Sequence, residues 1–243
     1  MIKLKKIFKK LRIISLLLCL PLSGCFDITQ EMWIYDNGRG RLQTVIGLHE
    51  QMLAMQGYQQ DESACDEIFE NRTVMTELDG IESAKFSSYT EGGVLYCVAD
   101  VTVDDFKFLS VAQDASVTQS HIGMNKEDYL AEFSMNALKD GKGHFREHIR
   151  NNAGDTRKPL LESYAEQFSN AMMGRMMAGR YWTVILHTPK IIEASGELSE
   201  DRKTVSWRVP LYDLLNDPEY AFDMQAKFEV DIPWYKKLWN WIS

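Results

Sequence analysis

Apolar and polar residues alternate along much of the chain with a period of two, which is typical of strands that bury one face. The first alternating segment, residues 29–35, leads into a turn at 36–40 and a second alternating segment at 41–47. The turn contains Asn37-Gly38, a pair that favours tight hairpin turns, so this region is predicted to be a β-hairpin. A second pair of strands is predicted at 80–89 and 94–103.

A different pattern, with apolar residues three or four positions apart, predicts helices in three places. Two short helices are expected at 48–56 and 62–70, and helical structure is expected from 125 to about 180. The longest stripe has spacings of four, three, four and four residues: Leu161, Ala165, Phe168, Met172 and Met176. Clustered methionines can bind copper, but here we interpret them as flexible core residues.

Alternation returns at 182–187, 204–209 and 220–230, where each segment has one apolar and one mostly polar face. The sequence therefore predicts an α+β fold, in which an antiparallel sheet packs against one long helix and shorter helices. We expect a single domain over residues 25–232, with the helical region at about 125–180 as an insertion.

The first 24 residues differ from the rest of the 243-residue chain, because they contain six basic residues and no acidic one. An apolar run at 13–20 follows, as in a secretory signal peptide. It ends in a short motif that resembles the lipobox of bacterial lipoproteins: Leu22-Ser23-Gly24-Cys25. The resemblance implies that Cys25 carries a diacylglyceryl group, that the chain is cut before it, and that its new amine receives an acyl chain such as palmitate.

The expected location is therefore a membrane surface that faces the periplasm. Phe26 follows the modified cysteine where a retention signal for the inner membrane would have aspartate, so the outer membrane is favoured over the inner one. After residue 24, 21 basic residues face 35 acidic ones, a net charge of −14. This charge argues against nucleic acid as a partner, so we expect the lipid to provide the attachment to the bilayer.

Two cysteines remain once Cys19 is removed with the signal and Cys25 is modified. In an oxidising compartment Cys65 and Cys97 are predicted to form a disulfide. The alternative is a metal or redox pair, although the sequence has no C-x-x-C motif.

One motif suggests catalysis. His144, Glu147 and His148 spell H-x-x-E-H, in which two histidines on a helix bind Zn²⁺ and the glutamate activates water. Glu219, 71 positions after His148, has the spacing of a third ligand. A zinc-dependent hydrolase is thus the alternative function, whereas solvent-exposed histidines are the interpretation we favour, with no enzyme activity and no cofactor.

The order of the segments resembles that of the LppM-type domain of bacterial lipoproteins. The resemblance is in the turn at 36–40 soon after the lipobox, a strand at 181–187 that ends in a turn at Pro189, a small-residue step at 194–196, and the strand Thr204-Val205-Ser206-Trp207. It implies an α+β envelope domain that binds a lipid or glycolipid and has no catalytic residue set. We expect a non-enzymatic lipoprotein that binds a lipid-like ligand or an envelope protein partner.

The last segment, residues 233–243, is predicted to be an amphipathic helix rich in tryptophan. Pro233 can begin a helix, and ten residues cannot span a bilayer. Membrane contact is expected through Trp234, Trp239 and Trp241. The alternative is that these side chains cover the core of the domain itself.

Overall fold

The structure is a computed structural model that describes residues 26–50, 53–54, 62–69, 77–116, 129–137, 141–151, 177–217 and 219–230. Within these residues lie eleven strands: β1 (Phe26–Ile34), β2 (Gly40–His49), β3 (Ile81–Glu91), β4 (Val94–Val103), β5 (Tyr129–Ala137), β6 (Lys142–Asn151), β7 (Tyr181–His187), β8 (Lys190–Ala194), β9 (Glu197–Leu198), β10 (Thr204–Pro210) and β11 (Ala221–Glu229). The helices with defined bounds are α1 (Glu62–Ile68), α2 (Leu109–Ser116) and α3 (Leu211–Asn216). A 3₁₀ turn, Phe106–Phe108, precedes α2.

The larger sheet has seven strands in the order β3-β4-β2-β1-β7-β10-β9. The predicted hairpin is confirmed as β1 and β2, which pair antiparallel from Phe26 opposite Leu48 to Ile34 opposite Gly40. Its turn depends on Gly38, whose φ of +79° is one that other residues rarely adopt. On its other side β1 pairs with β7 in parallel, while the remaining pairs of this sheet are antiparallel.

The smaller sheet has four antiparallel strands in the order β5-β6-β11-β8, and the core lies between the two sheets. Aromatic rings of the two layers are in contact. The ring centroids of Phe145 on β6 and Trp207 on β10 are 5.2 Å apart, and those of Phe228 on β11 and Phe106 in the 3₁₀ turn are 5.7 Å apart. Gly143 makes space for Phe228, because a Cβ at this glycine would lie 2.1 Å from the phenyl ring. The buried faces of both sheets thus form one hydrophobic core.

The predicted α+β fold with a long helix is wrong, because the described part of the chain is mostly strand and its three helices with defined bounds have six to eight residues. Residues 129–137 and 142–151, placed by the prediction in a helical insertion, form β5 and β6. On β6 the inward positions include Gly143 and Glu147, so the sequence does not show apolar alternation there. The stripe from Leu161 to Met176 and the segment 233–243 lie outside the described residues.

The predicted disulfide is confirmed. Cys65 of α1 and Cys97 of β4 are bonded, with their Cα atoms 5.3 Å apart. Cys97 lies on the second of the seven strands of the large sheet, opposite Ile46 on β2 and Ser88 on β3. The bond therefore joins a short helix to the strand next to one edge of the large sheet, and the two sulfur atoms are bonded to each other and not to a metal.

Candidate functional site

One row of residues crosses six strands of the large sheet at the end where β1 begins. We call this the Cys25 end of the sheet, because β1 starts at Phe26. The strand registers place six residues in one row, which we call the terminal row: Tyr89, Tyr96, Gly47, Asp27, Tyr181 and Pro210. Asp27 and Tyr181 each lie one residue before the first registered pair of β1 and β7, Ile28 and Trp182. With strands about 4.8 Å apart, the terminal row is about 24 Å long.

Two tyrosines occupy one half of the terminal row. The ring of Tyr96 lies over Gly47, where a Cβ would come within 3.1 Å of the ring. Tyr89 stacks on Tyr96 with ring centroids 4.9 Å apart, and 49% of Tyr89 is exposed. Burial, followed by the neighbouring Tyr89, raises the pKa of Tyr96, which therefore stays protonated.

Two arginines flank the other half of the terminal row, which contains Asp27 and Tyr181. The Arg180 guanidinium donates to the carboxylate of Asp27 at 2.8 Å, and Arg208 lies 4.0 Å from the centre of the Tyr181 ring. Partial burial raises the pKa of Asp27, and the charge of Arg180 opposes this effect. Arginine and tyrosine side chains combine an apolar body with polar donors, which suits a boundary between water and an apolar phase.

A cleft of about 250 Å³ opens beside this half of the terminal row. It lies between the turn at 178–180 and the start of α3, and it is lined by Gly179, Arg180, Tyr181, Pro210, Tyr212 and Asp213. Gly179 has a φ of +74°, and 45% of Tyr212 is exposed. The cleft offers aromatic surface and hydrogen-bond donors at the Cys25 end of the sheet.

At the opposite end of the same face, three side chains form a stack. Trp33 stacks on His187 with ring centroids 5.1 Å apart, and Arg41 lies 4.7 Å from the centre of the Trp33 ring. Arg41 also donates to Asp100 at 2.8 Å, which lowers the pKa of that carboxyl group. The side chains at this end of the face therefore contact one another.

The H-x-x-E-H residues do not form the zinc site of the alternative prediction, because they lie on strand β6 instead of a helix. His144 and His148 are four positions apart on a strand, which separates their Cα atoms by about 13 Å, too far for one ion. Glu147 points to the opposite face, is fully buried, and accepts a hydrogen bond from Gln113 at 2.8 Å. His148 instead contacts Asp223 at 2.9 Å.

Glu219 also has a local role, since its backbone N–H donates to the side chain of Asp217 in the turn before β11. Across the described ranges, no three His, Cys, Asp or Glu side chains are grouped as a metal site would need.

The other predicted site residues, Cys25, Trp234, Trp239 and Trp241, lie outside the described residues. In the part of the chain that is described, no helix is long and apolar enough to cross a membrane. Sequence reasoning missed the terminal row. The signal was partly present, because Tyr89 and Tyr96 stand at matching positions on either side of the turn at Gly92-Gly93.

No family model and no curated protein matches this chain. Among solved structures, it is similar to the NMR structure of the folded domain of LppM from Mycobacterium tuberculosis, with a TM-score of 0.45 and 10% identity over 88% of this chain and 96% of that one. This solved structure is a domain of the type that the order of the segments resembles.

Proposed function

We propose that this protein is a non-enzymatic lipoprotein of the bacterial envelope, attached to the bilayer through an acylated Cys25. The observation that carries the proposal is the position of β1. The lipobox cysteine is directly followed by Phe26, the first residue of a strand that lies inside the large sheet between β2 and β7. A lipid on Cys25 would thus be joined to the rigid part of the domain.

The distances support close contact with the membrane. Consecutive Cα atoms are about 3.8 Å apart, so the acylated residue would lie within one residue length of β1. A diacylglyceryl group with a further acyl chain provides the two or more chains that stable anchoring needs. The terminal row would then face the lipid headgroups.

The disulfide supports export from the cytoplasm. Disulfides persist in oxidising compartments such as the periplasm, and the bond between Cys65 and Cys97 joins α1 to the large sheet. Because Phe26 stands at the second position, where a retention signal for the inner membrane would have aspartate, we propose the periplasmic face of the outer membrane as the location.

Binding of a lipid-like ligand, with no catalysis, is the function that we propose for the domain. The cleft beside Tyr181 opens at the Cys25 end, where a lipid leaving the bilayer would reach it first. Native mass spectrometry of the purified protein, followed by lipid extraction, tests this: a bound lipid supports the proposal. A stably bound envelope protein with no lipid would contradict the ligand class.

The anchoring itself is tested by replacing the cysteine. In cells fed radioactive palmitate, Cys25→Ser is expected to lose the label and to leave the membrane fraction. Cys19→Ser, in the apolar run of the signal, is the matched control and is expected to keep the label. Label in the Cys25→Ser protein would refute the assignment.

A further inference from the structure

We infer that the terminal row, together with Tyr212, is a second contact with the membrane, and that it holds the sheet with its Cys25 end against the lipid headgroups. The inference rests on the proposed anchoring through Cys25 and adds the orientation of the domain. Asp27 follows Cys25 by two residues, so the terminal row lies about 7 Å from the anchored residue along an extended strand.

This distance matches the thickness of the headgroup region. A bilayer is about 40–45 Å thick in total and its hydrocarbon core about 30 Å, so each headgroup layer is about 5–8 Å deep. Side chains at the level of Asp27 would therefore lie among headgroups. Because the terminal row crosses six strands, it would meet the membrane along a line instead of a point.

The side chains suit that environment. Tyrosine is enriched at membrane interfaces, where its ring contacts the acyl boundary and its hydroxyl stays hydrated. Tyr89 and Tyr212 are two of the most exposed large apolar side chains of the described residues, and both lie at the Cys25 end. Arg208, which lies over the ring of Tyr181, adds an amphipathic donor next to the terminal row.

The charges at this end predict which lipids matter. Acidic residues accompany the arginines, namely Glu91 at the end of β3 and Asp213 in the cleft. Electrostatic attraction to anionic lipid is therefore not the source of the contact. We expect the contact to form on neutral phosphatidylcholine and to be unchanged by salt. A weak contact is enough, since a short tether gives an effective concentration in the range of about 1 mM or above.

The chain contains its own control. Tyr35 follows the last residue of β1 and is also exposed, at 41%. It is eight residues from Asp27, which places it about 26 Å further from the anchor. It therefore has similar chemistry and exposure but lies beyond the reach of the headgroups.

The experiment uses the full lipidated chain in phosphatidylcholine vesicles that contain a photoactivatable headgroup analogue. Lipid adducts are mapped by mass spectrometry of peptides. Peptides with Tyr89 and Tyr212 are expected to carry several times more adduct than the peptide with Tyr35, at low and at high salt alike. Equal labelling of the three peptides would overturn the inference.

A pair of variants separates orientation from folding. Tyr89→Ser with Tyr212→Ser is expected to reduce adducts elsewhere at the Cys25 end, whereas Tyr35→Ser leaves the pattern as it is. Circular dichroism melting confirms that each variant is folded. The intact mass is measured first: a missing diacylglyceryl group would refute the anchoring and the inference together, while equal labelling of a lipidated protein refutes only the inference.

Discussion

Removing the disulfide is expected to destabilise the domain substantially. We consider the double variant Cys65→Ala with Cys97→Ala, so that no free thiol is left at either position. The bond closes a loop with a sequence separation of 32 residues. For a loop of this length the chain-entropy model gives about 4 kcal/mol at 25 °C.

That free energy converts into a measurable shift. For domains of 150–250 residues, 1 kcal/mol corresponds to roughly 2–4 °C in Tm, so the variant should melt about 10 °C below the parent. The loss should be larger for the variant than for the reduced parent, because Cys97 is fully buried and alanine leaves a small cavity beside it.

The assay is thermal unfolding of the purified protein followed by circular dichroism, with urea unfolding at 25 °C as a second measurement. The parent in a strong thiol reductant is the control that keeps every side-chain atom. If the variant and the reduced parent both melted within about 2 °C of the oxidised parent, the loop between α1 and β4 would not constrain the unfolded chain, and the reasoning would be refuted.

Two further predictions concern the core and the opposite end of the sheet face. Gly143→Ala places a Cβ 2.1 Å from the ring of Phe228 and should lower the free energy of unfolding, measured with urea, by about 1–3 kcal/mol. Adding Phe228→Leu should recover part of that loss, and strictly additive effects of the two substitutions would contradict the steric explanation. Burial lowers the pKa of His187 below its ordinary value of 6.5, so the neutral ring stabilises the fold above that pH and this contribution is lost as the pH falls through the lower folded-state value. The fluorescence difference between the parent and Trp33→Phe should titrate with a midpoint below pH 6.5, because Trp33 stacks on His187; a midpoint above it would contradict the assignment.

Local patterns predicted much of the large sheet. The β1–β2 hairpin, the β3–β4 pair and β10 follow from alternation and turn residues, which act within about ten residues of sequence. The disulfide followed from the number of cysteines. Strand β6 was missed because Gly143 and Glu147 occupy inward positions and interrupt the apolar pattern on which the prediction depends. Its neighbour β5 was placed in the same helical insertion.

The terminal row could be predicted only in part, for a similar reason. Tyr89 and Tyr96 are neighbours across a two-residue turn, so their contact is a local property. Tyr181 joins the row because β7 pairs in parallel with β1, from which it is separated by about 150 residues. The register between strands so distant in sequence depends on how the buried faces of the two sheets pack against each other.

The parallel pairing of β1 with β7 also determines the order in which the chain can fold. The contact with β2 closes across a short turn and is entropically cheap, whereas the contact with β7 closes a loop of about 150 residues. During synthesis from the amino terminus, β1 is therefore complete long before its second partner. Until residues 181–187 arrive, one edge of β1 exposes unpaired backbone groups, which favours aggregation. We therefore expect the chain to be most prone to aggregation while β1 is paired with β2 and β7 has not yet joined them.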